Sequence, residues 1–309
     1  MVSELDVKRE FEELADTTKS DISAIIKSEV FSKLIIEEAE KGSKLKGVIA
    51  AREEDLKKGD SDTVKVRIYP IIAVSASSES AALSESAAYK PIASEVTLGR
   101  YGVSVPLTAE SIFHASDNIV ARVASAIGKG WRNLLDETIA GVLFGNYTPA
   151  VKEELAAAGD LADFYDKLKA VVDTMLYEQG KDPDYLICGK DIAEKLVLLY
   201  EDANYRNIIK VDDNGRIKSV YGLKVIVSAY APAVDNTAGK VLAAVIDSSQ
   251  ALVEASGIPA KFVEKYEPEY DKYKEIFQAY WGVARVEADL DEDTIAEAIG
   301  IGLIANPAA

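Results

Sequence analysis

Residues 116–144, SDNIVARVASAIGKGWRNLLDETIAGVLF, carry the feature that any fold of this chain must accommodate. Ile119, Val123, Ile127, Trp131, Leu134, Leu135, Ile139 and Val142 recur at the three- and four-residue spacing of one broad helical stripe. Ser116 supplies an N-cap hydroxyl, and Gly145 suits the position just past the helix end. At 1.5 Å per residue this helix is about 43 Å long, longer than a small domain is wide. Gly128, Gly130 and Gly141 weaken it and point to a bend or close packing. Whatever else the chain builds must lie along this rod.

Before the rod, residues 4–16 place Val7, Phe11 and Leu14 on one helical face. Residues 22–40 do the same with Ile22, Ile25, Ile26, Val30 and Leu34, behind a cap at Ser20 or Asp21. The other faces are acidic, so both helices are expected outside the main body, and 41–62 reads as a polar connector. Val64, Val66 and Ile68, then Tyr101, Val103 and Val105, alternate as in strands bounded by Pro70 and Pro106. After the rod the rhythm changes. A helix from Asp160 stops at Gly180, followed by the strand DYLIC and the helix IAEKLVLLY. An Asn- and Asp-rich loop leads to the strands LKVIVS (223–228) and VLAAVI (241–246), completing a compact α/β unit. The end is extended through ALVEAS and YKEIFQAYWGVARVEADL, and DEDTIAEAIGIGLIA reads as a short helix running into a strand.

With 48% apolar and 28% charged residues, the 309-residue chain has a globular profile. No apolar run approaches the roughly 20 residues of a membrane span, and MVSELDVKREFEEL lacks a secretory apolar core, so a soluble protein is expected. The single Cys188 lies in an apolar strand pattern and is expected to be a buried, inert thiol. A formal charge of −17 opposes gripping nucleic acid, which needs cations against phosphate, yet suits a surface that repels it. Three Gln, two Met and one Cys alongside abundant Glu and Lys fit a hot habitat.

The chemical inventory is thin. His114 stands alone in SIFHAS and reads as structural, and two His or Cys residues in total cannot build a zinc site. The acidic clusters 53–55, 212–213 and 289–293 lack the spacing of a calcium loop; DDNG reads as a turn, and Asp291, Glu292 and Asp293 as a helix start. No glycine-rich phosphate loop occurs, GIGL (300–303) being too short. Tyr266, Tyr270, Tyr273, Phe277, Tyr280 and Trp281 suit a sheet face better than a base-stacking platform. No catalytic residue, cofactor or metal site is expected.

VSASSESAALSESAAYKP (74–91) is then the anomaly. Between two strand segments it offers only Val74, Leu83 and Tyr89 as sizeable apolar groups. A surface loop, an Ala-rich helix and a projecting hairpin all remain open. A lone hairpin is marginal in water and would need contact from elsewhere.

The order of these parts, above all GDSDTVKVRIYPII…LSESAAYKPIASEVTLGRYGVSVPLTAESI followed by DETIAGVLFGN, and VYGLKVIVSAYAP (220–232), resembles the major capsid proteins of tailed bacterial and archaeal viruses, the Hong Kong 97-like fold. The likeness spans about residues 22–305. It implies an α+β fold with an N-terminal arm at 1–62, an extended β-hairpin loop at 63–105, a peripheral domain at 106–158 and 251–309 around the long spine helix, and an α/β axial domain at 159–250. It implies a structural shell protein, not an enzyme, that self-assembles into pentamers and hexamers of an icosahedral head. That head would enclose double-stranded DNA without binding it specifically. No cofactor and no membrane are implied. The virion is the expected location, assembly the host cytoplasm, and scaffolding, portal and decoration proteins the expected partners. Glu79, Glu85, Tyr89 and Lys90 in the loop, with Arg100 and Tyr101 at its base, are the expected inter-subunit contacts. Lys90 has no assignable Asn or Glu for the covalent cross-link that some relatives make. The alternatives are an encapsulin-like nanocompartment shell and, more remotely, a soluble acidic hydrolase.

Overall fold

In the computed structural model the described residues are 28–49, 63–68, 92–108, 110, 119–145, 147–202, 205–256, 261–267, 270, 272–288 and 297–308. The expected helix at 4–16, the stretch 74–91, His114, Ser116 and the clusters 53–55 and 289–293 lie outside them.

Helix α1 (Ser28–Gly42) and helix α2 (Ile119–Phe144) run side by side in the same direction. Gly128 permits this: a Cβ there would lie 3.0 Å from Cβ of Glu38 and 3.2 Å from the Ile35 carbonyl. Gly130 and Gly141 meet nothing within 4 Å, so of the three rod glycines one is required by packing. The buried face of α1 is Phe31, Ile35 and Ala39, rotated by one residue from the expected Val30/Leu34 stripe. The rotation seats Phe31 against Phe262, with ring centroids 5.5 Å apart. The connector is also more than polar linkage. Its first turn, Lys46–Val48, buries Leu45, Val48 and Ile49 against Leu135, Ile139 and Leu143 of α2.

Two sheets flank the rod. Strands β1 (Thr63–Ile68) and β2 (Ile92–Thr97) form a separate antiparallel ribbon. In the first sheet, β12 (Lys272–Arg285) is central. On one side it pairs with β11 (Lys261–Glu267) and then β10 (Leu252–Ser256), and on the other with β3 (Gly99–Thr108). In the second sheet the order is β13 (Glu287–Ala288), β14 (Glu297–Ala305), β9 (Val241–Ile246), β5 (Tyr185–Cys188), β8 (Leu223–Val227), β7 (Ile217–Val220) and β6 (Ile209–Val211), with β4 (Pro149–Glu154) parallel to β14. Strand β9, read as the unbroken apolar run VLAAVI, is covered on both faces. Leu242, Ala243 and Val245 belong to the core under helices α3 (Phe164–Asp173) and α4 (Lys190–Glu201), while Ala244 and Ile246 face the α2 core.

The glycines of AIGIGLIA have structural tasks. Gly300 sits at φ +69° where the β14 register shifts, and a Cβ at Gly302 would strike Val171 of α3 at 2.4 Å. Helix α3 starts at Phe164, later than expected, and ends in a wide turn, Thr174–Glu178. The expected Asn- and Asp-rich loop contains the β6–β7 hairpin; its DDNG turn is closed by Asp212 Oδ1, which accepts from the amides of Asn214 (3.0 Å) and Arg216 (2.7 Å). Strands from both sides of the boundaries expected at 159 and 250 share one sheet: β4 pairs with β14, and β14 with β9.

Candidate functional site

The β1–β2 ribbon is six residue pairs long, from Thr63↔Thr97 at its base to Ile68↔Ile92 at its far end, where residues 69–91 continue. Its base is clamped to the first sheet. Val96 and Leu98 are buried with Val253, Ala255 and Val286. Gly282 of β12 lets the backbone of β2 cross at close range: a Cβ there would sit 2.3 Å from the Thr97 carbonyl oxygen. Glu79, Glu85, Tyr89 and Lys90 lie outside the described residues.

Arg100 and Tyr101, at the start of β3, are separated by the strand's alternation. Arg100 is exposed. The Tyr101 ring covers Gly99 and meets Trp131 of α2 edge-on, with centroids 5.5 Å apart. Trp131 also touches Phe277 (5.7 Å) and Trp281 (6.3 Å), so Tyr101 belongs to an aromatic cluster of its own chain. The indole N–H of Trp281 donates to the buried carboxylate of Glu254 at 3.1 Å.

Two concavities flank these elements. One, about 750 Å³, brings Lys44, Lys190, Arg216 and Lys224 around Val197, Val225 and Val227, with Glu194 paired to Lys190 at 3.3 Å. It is a cationic cleft in a chain of net charge −17. The other, about 460 Å³, lies between β3 and α2 and is almost wholly apolar.

Several anchoring groups escaped the sequence reading. Asp136 is buried on α2, where Oδ1 accepts from Ser43 Oγ (2.6 Å) and the Leu45 amide (3.1 Å) and so fixes the turn after α1. A carboxylate beside Leu135 within an apolar stripe was the available signal. Arg285 donates to the Val142 carbonyl at 2.7 Å, capping the end of α2, and lies 4.0 Å over the Tyr147 ring. Burial pushes the Tyr147 phenol well above its ordinary pKa. Asn306, fully buried, donates to the carbonyls of Asp235 (2.7 Å) and Thr237 (2.8 Å) and accepts from the Gly159 amide (3.0 Å).

The described residues offer contact surfaces: the exposed Arg100, the cationic cleft and the apolar groove. Cys188 is buried, and burial alone pushes its thiol up to about 12. Among the described residues, no three His, Cys, Asp or Glu side chains converge as metal ligands, and no helix is long and apolar enough to cross a membrane.

Comparison with known proteins fits such an arrangement. Residues 92–296 match the family model described as phage capsid protein. No curated protein matches the chain. Similar solved structures include the capsid of an empty GTA particle (TM-score 0.60, 13% identity, covering 86% of this chain and 90% of that one). The capsid of cyanophage P-SCSP1u gives a TM-score of 0.59 at 11% identity, covering 83% and 87%. A chain from Mycobacterium phage Adephagia gives 0.53 at 13% identity, covering 87% and 91%. The fold is thus the α+β, Hong Kong 97-like one, and no feature of the matches favours a nanocompartment or a hydrolase. With the family model spanning more than half of its length, the chain belongs to the phage capsid protein family.

Proposed function

We propose that this chain is the repeating subunit of an icosahedral phage head, assembled as pentamers and hexamers around double-stranded DNA. The observation that carries the reading is the β1–β2 ribbon. It is clamped at its base by Gly282 and the Val96/Leu98 cluster, and the sequence between its far-end residues Ile68 and Ile92 has little apolar content over 74–91. Two strands alone do not stabilise themselves in water. Adjacent subunits supply the missing contacts, made through Glu79, Glu85, Tyr89 and Lys90, with Arg100 presented beside the base. Tyr101 supports that base from within its own subunit.

The arm (1–62), the ribbon with its loop (63–105), a peripheral body around the spine helix and an axial body around the second sheet are the working divisions of the subunit. Strands β4 and β14 join the last two. The net charge of −17 keeps the inner wall from holding packaged DNA. Scaffolding, portal and decoration proteins are the partner classes of such a shell, which is built in the host cytoplasm and ends as the virion capsid. Deleting residues 76–90 tests the reading. The subunit should remain folded, with unfolding by urea close to wild type, and light scattering should find no closed shells. Normal shells from the deleted chain would refute the role given to the loop.

A further inference from the structure

Strand β8 has a neighbour on one side only over its second half. β7 meets it in two pairs, Ser219↔Lys224 and Val220↔Leu223, then turns away to β6, where Ile217 pairs with Val211. On the other side β5 follows β8 through Val227. The amides of Lys224 and Ser228 donate to that side, to the carbonyls of Asp184 (2.8 Å) and Cys188 (3.1 Å). Alternation turns the N–H and C=O of Val227 the opposite way, and the carbonyl accepts from Lys44 Nζ at 3.2 Å. Among the described residues no strand lies beside Val225–Val227 on this side. The cationic cleft opens there, lined by Val225 and Val227 of β8, Arg216 from the β7 side, and Ala193 and Val197 of α4.

We infer that this cleft takes an extended, acidic peptide segment of a partner protein as an added strand beside β8. The charge is complementary. Lys44, Lys190, Arg216 and Lys224 are all exposed, and Glu194 is the one carboxylate among the lining residues, in a chain of net charge −17. The backbone is complementary too, since Val227 offers both a donor and an acceptor to an incoming strand. Lys44 guards that edge, as lysines do on exposed strands. An entering strand takes over the Val227 carbonyl and leaves Lys44 to a carboxylate. Val225–Val227 spans about 10 Å, enough for about three added residues. Side-chain alternation sets the sequence. Val225 turns to the core under α3 and α4 and Ile226 to the α2 core. An added strand shares that alternation, so its side chains on the Val225 side rest near Val197 and those on the Lys224 side meet the ammonium group. Alternating apolar and acidic residues fit best. Duplex nucleic acid would meet the cations but leave the strand edge and the Val197 wall uncovered.

The test titrates the full chain into a fluorescein-labelled peptide, Glu-Val-Glu-Val-Glu-Val, and reads fluorescence anisotropy. Saturable binding that weakens as salt rises is expected, with slower hydrogen exchange at the Val227 amide. The Arg216→Glu/Lys224→Glu variant should bind about tenfold more weakly. The same peptide N-methylated at every residue keeps its charge, loses its backbone donors and should not bind the wild-type chain. Equal binding of the methylated peptide would overturn the inference, because charge alone would then suffice. Equal binding by the variant, or unchanged exchange at Val227, would overturn it by removing the cleft from the contact. Displacement of the peptide by duplex DNA at matched phosphate and carboxylate concentrations would overturn it in favour of nucleic acid. A lower native mass of the variant without peptide would overturn it in favour of a second copy on the edge. Peptide binding is read on the single chain and needs no shell, so its failure leaves the shell reading standing.

Discussion

Asp136 accepts hydrogen bonds from Ser43 Oγ and the Leu45 amide, and this joins the arm to the spine helix. Replacing it with Ala strands a buried N–H without an acceptor, and a loss of about 1–3 kcal/mol in urea unfolding is expected. Asn, which keeps an acceptor oxygen, should lose less. Equal stability of wild type and Asp136→Ala would remove this link from the account. Asp235 makes a different prediction. Hydrogen bonds from Lys240 and from the Thr237 amide lower its pKa from 3.8 to about 2. A carboxyl with a depressed pKa in the folded state contributes stability that is present above its ordinary value and lost as pH falls toward the folded one. The Asp235→Asn variant should therefore lose less stability than wild type between pH 3.8 and about 2, with parallel curves at neutral pH. Parallel curves through the acid limb as well would show that the contact does not hold in solution.

The ribbon leads to the proposed subunit contacts, and its closest approach to the first sheet is at Gly282. Gly282→Val forces the Thr97 carbonyl away from β12, an overpacking cost of about 1–3 kcal/mol. Hydrogen exchange should quicken at 63–68 and 92–97 while α3 and α4 keep their protection; uniform protection would contradict the clamp. Elements of this kind were partly legible in the sequence. The rod, DYLIC, LKVIV and VLAAVI announce themselves because their apolar period is local and their burial is strong. Strand β4, PAVKEE, and strand β11, KFVEKYE, do not, because their strand state comes from distant partners, Gly302 to Ala305 for one and Lys272 to Gln278 for the other. The stripe of α1 was misread by one residue for the same reason: the close approach at Gly128 and the Phe262 ring decide which side is buried.

For the whole molecule, the rod and the α/β unit after it were readable from sequence, whereas the closure of the chain was not. Strand β14 returns from the end of the sequence to lie between β4 and β9, tying the rod's exit to the second sheet. Asn306 then pins the loops at Gly159 and at Asp235–Thr237. No local pattern encodes a pairing across some 150 residues. Of the candidate site, the flanking strands were legible because their alternation is local, but the contact of Tyr101 with Trp131 was not, because it joins a strand to a helix distant in sequence. The central claim concerns neither fold nor residue but number. Light scattering on a sizing column measures the native mass of the purified chain directly. Masses at five or six times the 33.4 kDa subunit, or a closed shell in the megadalton range, are the predicted result. A chain that stays at 33.4 kDa at every concentration and salt would contradict it.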